Sequence, residues 1–134
     1  MIKLNKKMEY ALMALKYFSI NDSKNALSAK EVAEATHAPY EVVARVLQSM
    51  SSNGWLKAEY GTQGGYRLIK NLDSTSVHDL MMLIEGSTQI TSCLNSEKEC
   101  DLHKKCTILS PIQTLNQKIQ IFYKSMKVSE ILHV

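Results

Sequence analysis

The spacing of apolar residues predicts an amphipathic helix over residues 5–20. Apolar side chains recur there at intervals of three and four, which is the period of a helix with one buried side. They are Met8, Ala11, Leu12 and Leu15. Tyr10, Met13 and Tyr17 form part of a second apolar side. We therefore expect this helix to be buried on both sides, in the core of the domain and against a second subunit.

Two shorter helices are predicted between residues 28 and 54. Ser28 and Glu31 have the spacing of a capping box, in which a hydroxyl and a carboxylate satisfy free N–H groups at a helix start. A tight turn follows, and Pro39 suits the first turn of the second helix, which ends at Gly54. The buried stripe of that second helix consists of Val43, Val46, Leu47 and Met50. Two helices joined in this way form either a helix-turn-helix or an ordinary helical hairpin.

The segment after these helices predicts a β-hairpin. The runs WLKAEY and GYRLI favour strands, and the glycine-rich GTQGG joins them. A strand pair directly after two such helices is typical of a winged helix, which favours DNA binding. The charge distribution agrees, because residues 1–70 carry ten Lys and Arg against six Asp and Glu, and residues 71–134 carry six against seven. A phosphate-binding surface is therefore expected in the first half of the chain.

The polar side of the second helix and the turn of the hairpin hold the side chains that we expect to contact DNA. The second helix would supply the contacts in the major groove, and the wing would lie along the phosphates. The start of the first of the two helices should also meet a phosphate, because a helix N-terminus attracts anions. The expected contacts are Ser28, Lys30, Tyr40, Glu41, Arg45, Gln48, Thr62, Gln63, Gly64 and Arg67.

The second half of the chain predicts one short helix and one long one. Ser76 and Asp79 cap the short helix and Gly86 ends it. Ser110 and Pro111 open the long helix, whose apolar residues fall at alternating steps of four and three. They are Ile108, Ile112, Leu115, Ile119, Phe122 and Met126. So narrow a seam favours a homodimer over packing within the chain, and a twofold dimer suits a palindromic DNA site.

All three cysteines lie in one polar stretch, CLNSEKECDLHKKC, which runs from Cys93 to Cys106. Their Cys-x6-Cys-x5-Cys spacing lacks the close cysteine pairs and the four ligands of common zinc sites. Three widely spaced thiolates favour an iron–sulfur cluster, whose bulk needs ligands spread around it. Lys98, Lys104 and Lys105 would offset the negative charge of such a cluster. A thiol switch without a cluster is the alternative that this pattern leaves open.

The sequence has none of the features of a membrane or secreted protein. It has no apolar run of eighteen residues, and its beginning, MIKLNKKMEY, has no signal-peptide core. We therefore expect it in the reducing cytoplasm, where structural disulfides are rare. It also has no phosphate loop, dinucleotide fingerprint or evident nucleophile–base pair, so it is not expected to be an enzyme. A redox or electron-transfer iron–sulfur protein is the remaining rival to a regulator.

Several segments together resemble the IscR/NsrR family of winged-helix, iron–sulfur transcription regulators. They are KLNKKMEYALMAL, SAKEVAEAT, PYEVVARVL, NGWLKAEYGTQGGYRL, the three cysteines before a long helix, and VSEIL near the end. The resemblance implies a homodimer that binds double-stranded promoter DNA, with an iron–sulfur cluster at the dimer interface. It also implies that Cys93, Cys100 and Cys106 are cluster ligands. The state of the cluster, which responds to redox conditions, nitric oxide or iron supply, would then control operator affinity.

The fourth cluster ligand divides this family into subtypes. IscR-like members use a histidine three residues after the last cysteine, where this chain has Leu109. NsrR-like members use an acidic residue of the first helix, so the resemblance implies Glu9 of the partner subunit. His103 is the competing candidate. We expect four irons rather than two, although the first gap between cysteines has six residues and relatives tend to have five. The wing differs as well, with Tyr60 where family members often carry arginine.

The expected fold is mainly α with a small β-hairpin, arranged as a winged helix-turn-helix followed by a long dimerisation helix. Residues 1–86 would form the DNA-binding domain, with the wing at about 55–69. Residues 87–107 would form the cysteine-bearing cluster loop, and residues 108–134 the dimerisation helix and C-terminal tail.

Overall fold

The computed structural model describes residues 3–21, 25–94 and 102–134. Its helices and strands, in chain order, are α1 (Lys6–Ile20), α2 (Ala29–Thr36), α3 (Tyr40–Ser52), β1 (Leu56–Glu59), β2 (Gly65–Leu68), α4 (Val77–Glu85), α5 (Leu109–Ser125) and α6 (Val128–Leu132). Short 3-10 turns occur at Leu72–Ser74, Ser92–Leu94 and His103–Lys105. The predicted fold class, mainly helical with one antiparallel hairpin, is confirmed. Within these ranges, no helix is both long enough and apolar enough to cross a membrane.

Helices α1, α2 and α3 pack together around a core that α4 and the hairpin complete. The largest side chains buried there include Met8, Leu15, Leu47, Met50, Leu56 and Leu80. On the second apolar side of α1, Met13 is exposed and both Tyr10 and Tyr17 are half-buried. The core therefore covers one side of α1, with Leu12 half-buried at its edge, and burial of the other side against a second subunit stays a prediction.

The capping signals of the sequence are followed fully at α4 and in part at α2, whereas α5 begins at Leu109, one residue before the predicted start, without a side-chain cap. The side chain of Ser28 accepts a hydrogen bond from the Glu31 N–H at 3.1 Å. The Glu31 carboxylate, however, accepts from the Ser28 hydroxyl at 3.2 Å and not from the Ser28 backbone N–H. The capping box predicted for α2 is therefore half formed. At α4 the box is complete, because the Asp79 N–H donates to the Ser76 hydroxyl and the Ser76 N–H donates to Asp79. Gly86 ends α4 in the left-handed conformation, at a φ of 76°.

The carboxylate of Asp79 gives the α4 cap a predictable pH dependence. The hydrogen bond from the Ser76 backbone N–H, 3.0 Å long, is the main reason that the pKa of Asp79 lies below its usual value. A carboxyl group with a lowered folded-state pKa stabilises the fold above its unfolded pKa of about 3.9. That stabilisation is lost as the pH falls through the folded-state pKa.

Replacing Asp79 with alanine should therefore lower the free energy of unfolding at pH 7 and matter less in acid. We expect a loss of at most about 1 kcal/mol, because the carboxylate is exposed to solvent. Urea unfolding of both proteins at pH 7 and at pH 3 measures the difference. A gap between the two proteins that stays the same at both pH values would contradict this account of the cap.

The wing is attached to the start of α2 by backbone hydrogen bonds. Strands β1 and β2 pair antiparallel, with Lys57 opposite Arg67. In addition, the Leu27 N–H donates to the Tyr66 carbonyl at 2.9 Å, and the Tyr66 N–H donates to the Leu27 carbonyl at 2.8 Å. This bridge brings the backbone of Gly65 so close to Leu27 that a Cβ on Gly65 would lie 2.5 Å from the Leu27 carbonyl oxygen. The position of the wing is therefore fixed relative to α2.

The end of the chain returns from α5 to the winged-helix core. The Val77 N–H donates to the Met126 carbonyl at 2.9 Å, and the Val128 N–H donates to the Thr75 carbonyl at 2.9 Å. Val128 and Leu132 of α6 are buried in the same core as α1 and α3. The tail that the sequence groups with the long helix therefore packs on the first domain, and the division of the chain into three parts stays a prediction.

Candidate DNA-binding surface and cysteine site

The four residues expected to enter the major groove are all exposed on α3, three on one side of the helix and one at its start. Val43, Val46, Leu47 and Met50 turn the other side of the helix into the core. The exposed residues are Tyr40, Glu41, Arg45 and Gln48. Arg45 forms no ion pair with any of the described residues. Its guanidinium is therefore available for a phosphate or a base edge.

The start of α2 lies beside the wing, because Leu27 pairs with Tyr66 directly before the Ser28 cap. Lys30 is exposed there, and Ser28 is half-buried with its hydroxyl used in capping. At the wing tip, Thr62 and Gln63 are exposed. The expected phosphate contacts from α2 and from the wing thus belong to neighbouring parts of one surface.

The charge of the wing is partly neutralised within the hairpin. Arg67 forms an ion pair with Glu59, so this expected DNA contact already has an acidic partner. Gly64 donates its N–H to the Gly61 carbonyl at 3.1 Å and closes the turn. Tyr60, next to this turn, is 95% exposed. The turn of the wing therefore presents an aromatic ring and polar side chains, and one positive charge of the hairpin is already paired.

Two of the three cysteines lie in described parts of the chain, and both are free thiols that are half-buried. Cys93 lies in the turn Ser92–Leu94, where its Sγ is 3.1 Å from the Thr91 hydroxyl. Cys106 follows the turn His103–Lys105. Cys100 and Lys98 lie outside the described residues, as does the side chain of His103. Lys104 and Lys105 are exposed beside Cys106, where they can offset negative charge.

The chemistry of the two described thiols fits an iron–sulfur cluster. Neither sulfur is used in a disulfide, and both residues are half-buried. Thiolates of this kind hold such clusters. Within residues 3–21, 25–94 and 102–134, three or more His, Cys, Asp or Glu side chains do not gather into a metal site. A complete site would therefore need groups outside the described residues, such as Cys100, or groups from another chain.

Glu9 is in the first turn of α1 and its carboxylate is accessible. Its Oε2 lies 2.8 Å from the Nζ of Lys6, and this hydrogen bond raises the pKa of Lys6. Because the pair is exposed, it is weak and the carboxylate can exchange partners. The geometry leaves Glu9 free to act on another subunit, which stays a prediction.

The apolar seam of α5 divides into two rows. The residues of one row lie seven apart and are exposed. The exposed fractions are 55% for Ile108, 53% for Leu115 and 60% for Phe122. The second row, four residues after each of these, is half-buried by the chain itself and consists of Ile112, Ile119 and Met126. Of the single seam predicted from the sequence, one row is therefore half covered by the chain and the other row is exposed.

Sequence reasoning missed the polar contacts of α5. Asn116 is the one buried residue among those described in this helix, and its side chain binds the segment that leads to Cys93. Gln120 binds Thr88 of the same segment. A polar residue on a helix is usually solvated, and no local pattern separates these two from the other polar residues of α5.

The sequence profile of the Rrf2 family, described as an iron-dependent transcriptional regulator, matches residues 4–134. The chain belongs to the Rrf2 family. A putative HTH-type transcriptional regulator from Aquifex aeolicus is 24% identical over 129 residues, which are 95% of this chain and 89% of that protein. The HTH-type transcriptional repressor NsrR from Streptomyces coelicolor is 23% identical over 132 residues, 98% of this chain and 88% of that protein.

Solved structures share the fold of this Rrf2 protein. T. potens IscR has a TM-score of 0.69 at 20% identity, over 98% of this chain and 87% of that one. CymR, the global cysteine regulator of B. subtilis, has a TM-score of 0.72 at 16% identity, over 99% of this chain and 98% of that one. The predicted resemblance to IscR and NsrR is confirmed. This Rrf2 protein is a DNA-binding regulator of transcription and not an enzyme.

Proposed function

We propose that this Rrf2 protein changes its affinity for operator DNA through an iron–sulfur cluster held by Cys93, Cys100 and Cys106. The observation that carries the proposal is the pair of free, half-buried thiols between the winged helix and α5. NsrR and IscR among the relatives support it. When bound, the cluster would supply iron that reacts with oxidants or nitric oxide, or that reports iron supply. We expect four irons rather than two.

Different residues of the chain would contact the DNA and the cluster. The exposed side of α3 would read base edges, while Ser28, Lys30 and the wing would hold phosphates. Lys104 and Lys105 would offset the negative charge of the thiolate-bound group. Because α4 packs against both α1 and α3 as well as α5, it links the cysteine side of the molecule to the DNA-binding side.

A homodimer is the second part of the proposal. The exposed row Ile108, Leu115 and Phe122 has the heptad spacing of a helix that pairs with a second helix. Pairing two α5 helices would cover this row and repeat the two recognition helices about a twofold axis. Such a dimer would bind a palindromic operator with half-sites about 10 base pairs apart.

Arg45→Ala tests the DNA-binding surface. At fixed salt we expect binding to a duplex selected from random DNA by the wild-type protein to weaken about 5- to 100-fold, the cost of one base or phosphate contact. Lys16→Ala removes the same charge from an exposed position of α1 and should leave binding within about twofold. Fluorescence anisotropy titrations measure both variants. Equal affinities for the two would remove Arg45 from the interface.

Glu9→Ala tests the proposed fourth ligand from the partner subunit. If the carboxylate binds iron, its removal should alter the visible spectrum and speed cluster loss by about tenfold or more. Lys6→Ala is the matched control, because it breaks the same surface ion pair and leaves the carboxylate in place. Anaerobic absorption spectra give the readout. Spectra and loss rates that match wild type in Glu9→Ala would leave His103 as the candidate.

A cluster-free thiol switch is the alternative function. CymR, a cysteine regulator in B. subtilis, has the same fold, and free thiols such as Cys93 can themselves be oxidised. The two functions differ in the visible absorption of the protein and in the chemical change that alters its DNA affinity. Anaerobically purified protein with visible absorption supports the cluster. A colourless protein whose DNA affinity changes with thiol oxidation supports the switch.

A further inference from the structure

Hydrogen bonds from two α5 side chains hold the segment that enters the cysteine region. The Ile90 N–H donates to the Asn116 Oδ1 at 3.1 Å, and the Asn116 amide donates to the Gln89 side chain. The Gln120 Nε2 donates to the Thr88 carbonyl at 2.6 Å, and the Thr88 hydroxyl donates to Gln120 in return. We call these contacts, made by Thr88, Gln89, Ile90, Asn116 and Gln120, the α5 clasp.

Two members of the α5 clasp are buried, and the clasp reaches a third element. Thr88 and Asn116 are 7% and 8% exposed. The Thr88 hydroxyl also lies 3.2 Å from the Nε2 of His78 on α4. Burying an amide and a hydroxyl is costly unless every group finds a partner, so an apolar residue at position 116 would be the simpler way to pack the helices. A polar contact at this place therefore has a use beyond cohesion.

Hydrogen bonds can fix the register between two packed segments, here residues 88–90 and α5. Apolar contacts have no directional preference, whereas a shift of one residue would leave the buried Asn116 amide without its partners and would break the contacts of Gln120. The clasp binds three consecutive residues, 88–90, through both backbone and side-chain groups. It therefore fixes where residues 88–90 lie along α5.

The cysteine segment begins directly after the clasp. The next residue, Thr91, closes the turn Ser92–Leu94 through a hydrogen bond from the Leu94 N–H to its carbonyl, and its hydroxyl contacts the Cys93 sulfur. Cys93 is thus three residues from a fixed point on α5. Cys106 reaches α5 from the other side, only three residues before that helix begins at Leu109.

We propose that Asn116 and Gln120 are positioning residues for Cys93. They hold its sulfur at a set place relative to α5, the helix that we assign to the dimer interface. The thiol separation needed by a shared ligand is then built in before the ligand arrives. The positioning role is independent of which group the thiols hold, and its link to a cluster rests on the proposed function.

Gln120→Met and Gln117→Met form a matched pair for the test. The first removes the Gln120 contacts with Thr88 and keeps the length of the side chain, and the second makes the same change at an exposed position of the same helix. In reduced, folded protein under native conditions, we expect alkylation of Cys93 relative to Cys106 to rise about threefold or more in Gln120→Met only. Global loosening would raise both cysteines together and leave the ratio unchanged.

Hydrogen exchange at the Ile90 amide gives a second readout, with Asn116→Leu as the variant. Loss of the Asn116 acceptor should speed exchange there about tenfold or more, while amides in the middle of α3 keep their wild-type rates. The positioning role is overturned if the Cys93 to Cys106 ratio in Gln120→Met equals that in Gln117→Met. Unchanged Ile90 exchange in Asn116→Leu would overturn it equally.

Cluster loss separates this inference from the proposed function. In anaerobically prepared protein, the visible absorption of Gln120→Met should decay several-fold faster than that of Gln117→Met. Equal decay in two coloured variants contradicts positioning and leaves the cluster intact as a proposal. Colourless wild-type protein contradicts the cluster, and the alkylation ratio then still decides whether the clasp positions Cys93.

Discussion

Gly65→Ala is expected to destabilise the winged helix by roughly 3 kcal/mol. A methyl group at this position would lie 2.5 Å from the carbonyl carbon and oxygen of Leu27 and 2.7 Å from the Ser28 nitrogen. These are backbone atoms, so no side chain can rotate away to make room. Either the two hydrogen bonds between Leu27 and Tyr66 break, or the start of α2 moves. Both changes would also weaken DNA binding, because they separate the wing from α2.

Gly54→Ala is the control for that prediction. Gly54 also has a positive φ, 78°, but a Cβ there would meet no atom within 4 Å. The expected cost is therefore only the backbone strain of about 1 kcal/mol. Urea unfolding of the two variants compares them directly. If both glycines cost the same, the close approach of the wing to α2 would not be a determinant of stability.

Placing glutamate at both Leu115 and Phe122 is expected to abolish dimerisation and to lower operator affinity by about a hundredfold or more. The two side chains lie one heptad apart in the exposed row of α5, and glutamates there would place like charges opposite each other across a twofold interface. A monomer retains one recognition helix and loses the gain from binding two half-sites together. Analytical ultracentrifugation and anisotropy titrations measure the two effects.

Ile121→Glu provides the matched control within the same helix. Ile121 is 67% exposed, more than either Leu115 or Phe122, but it lies outside the heptad rows. This variant should remain dimeric and bind the operator normally. If Ile121→Glu dissociates, or if the double variant at Leu115 and Phe122 stays dimeric, the subunit interface does not lie on the exposed row.

Local signals were enough to predict most of the fold. Both ends of α4 could be predicted from nearby residues. Ser76 and Asp79 lie three residues apart at its start, and Gly86 ends it with a positive φ. Helix periodicity likewise identifies the buried side of α3, whose residues are placed as expected. The bridge between Leu27 and Tyr66 could not be predicted, because it joins residues far apart in sequence through backbone atoms alone. The return of Val128 to the first core depends on similarly distant contacts.

The candidate site was predictable where chemistry or exposure decides it. The helix period predicts which residues of α3 are exposed, and residue type and spacing single out the cysteines as candidate ligands. The division of the α5 seam into a covered and an exposed row was not predictable, because heptad spacing does not say which side the chain itself covers. The α5 clasp was missed for the same reason, since Asn116 and Gln120 resemble solvated residues until Thr88 and Ile90 are placed beside them.

Native mass spectrometry of the anaerobically purified protein, alone and with its selected DNA duplex, reports dimerisation, cluster content and DNA binding together. We expect a dimer that carries an iron–sulfur cluster on each subunit, and a bound fraction of DNA that changes at least about tenfold when the cluster is removed. A dimer of bare polypeptide mass, or a cluster-bearing dimer whose DNA occupancy is the same with and without the cluster, would contradict this expectation.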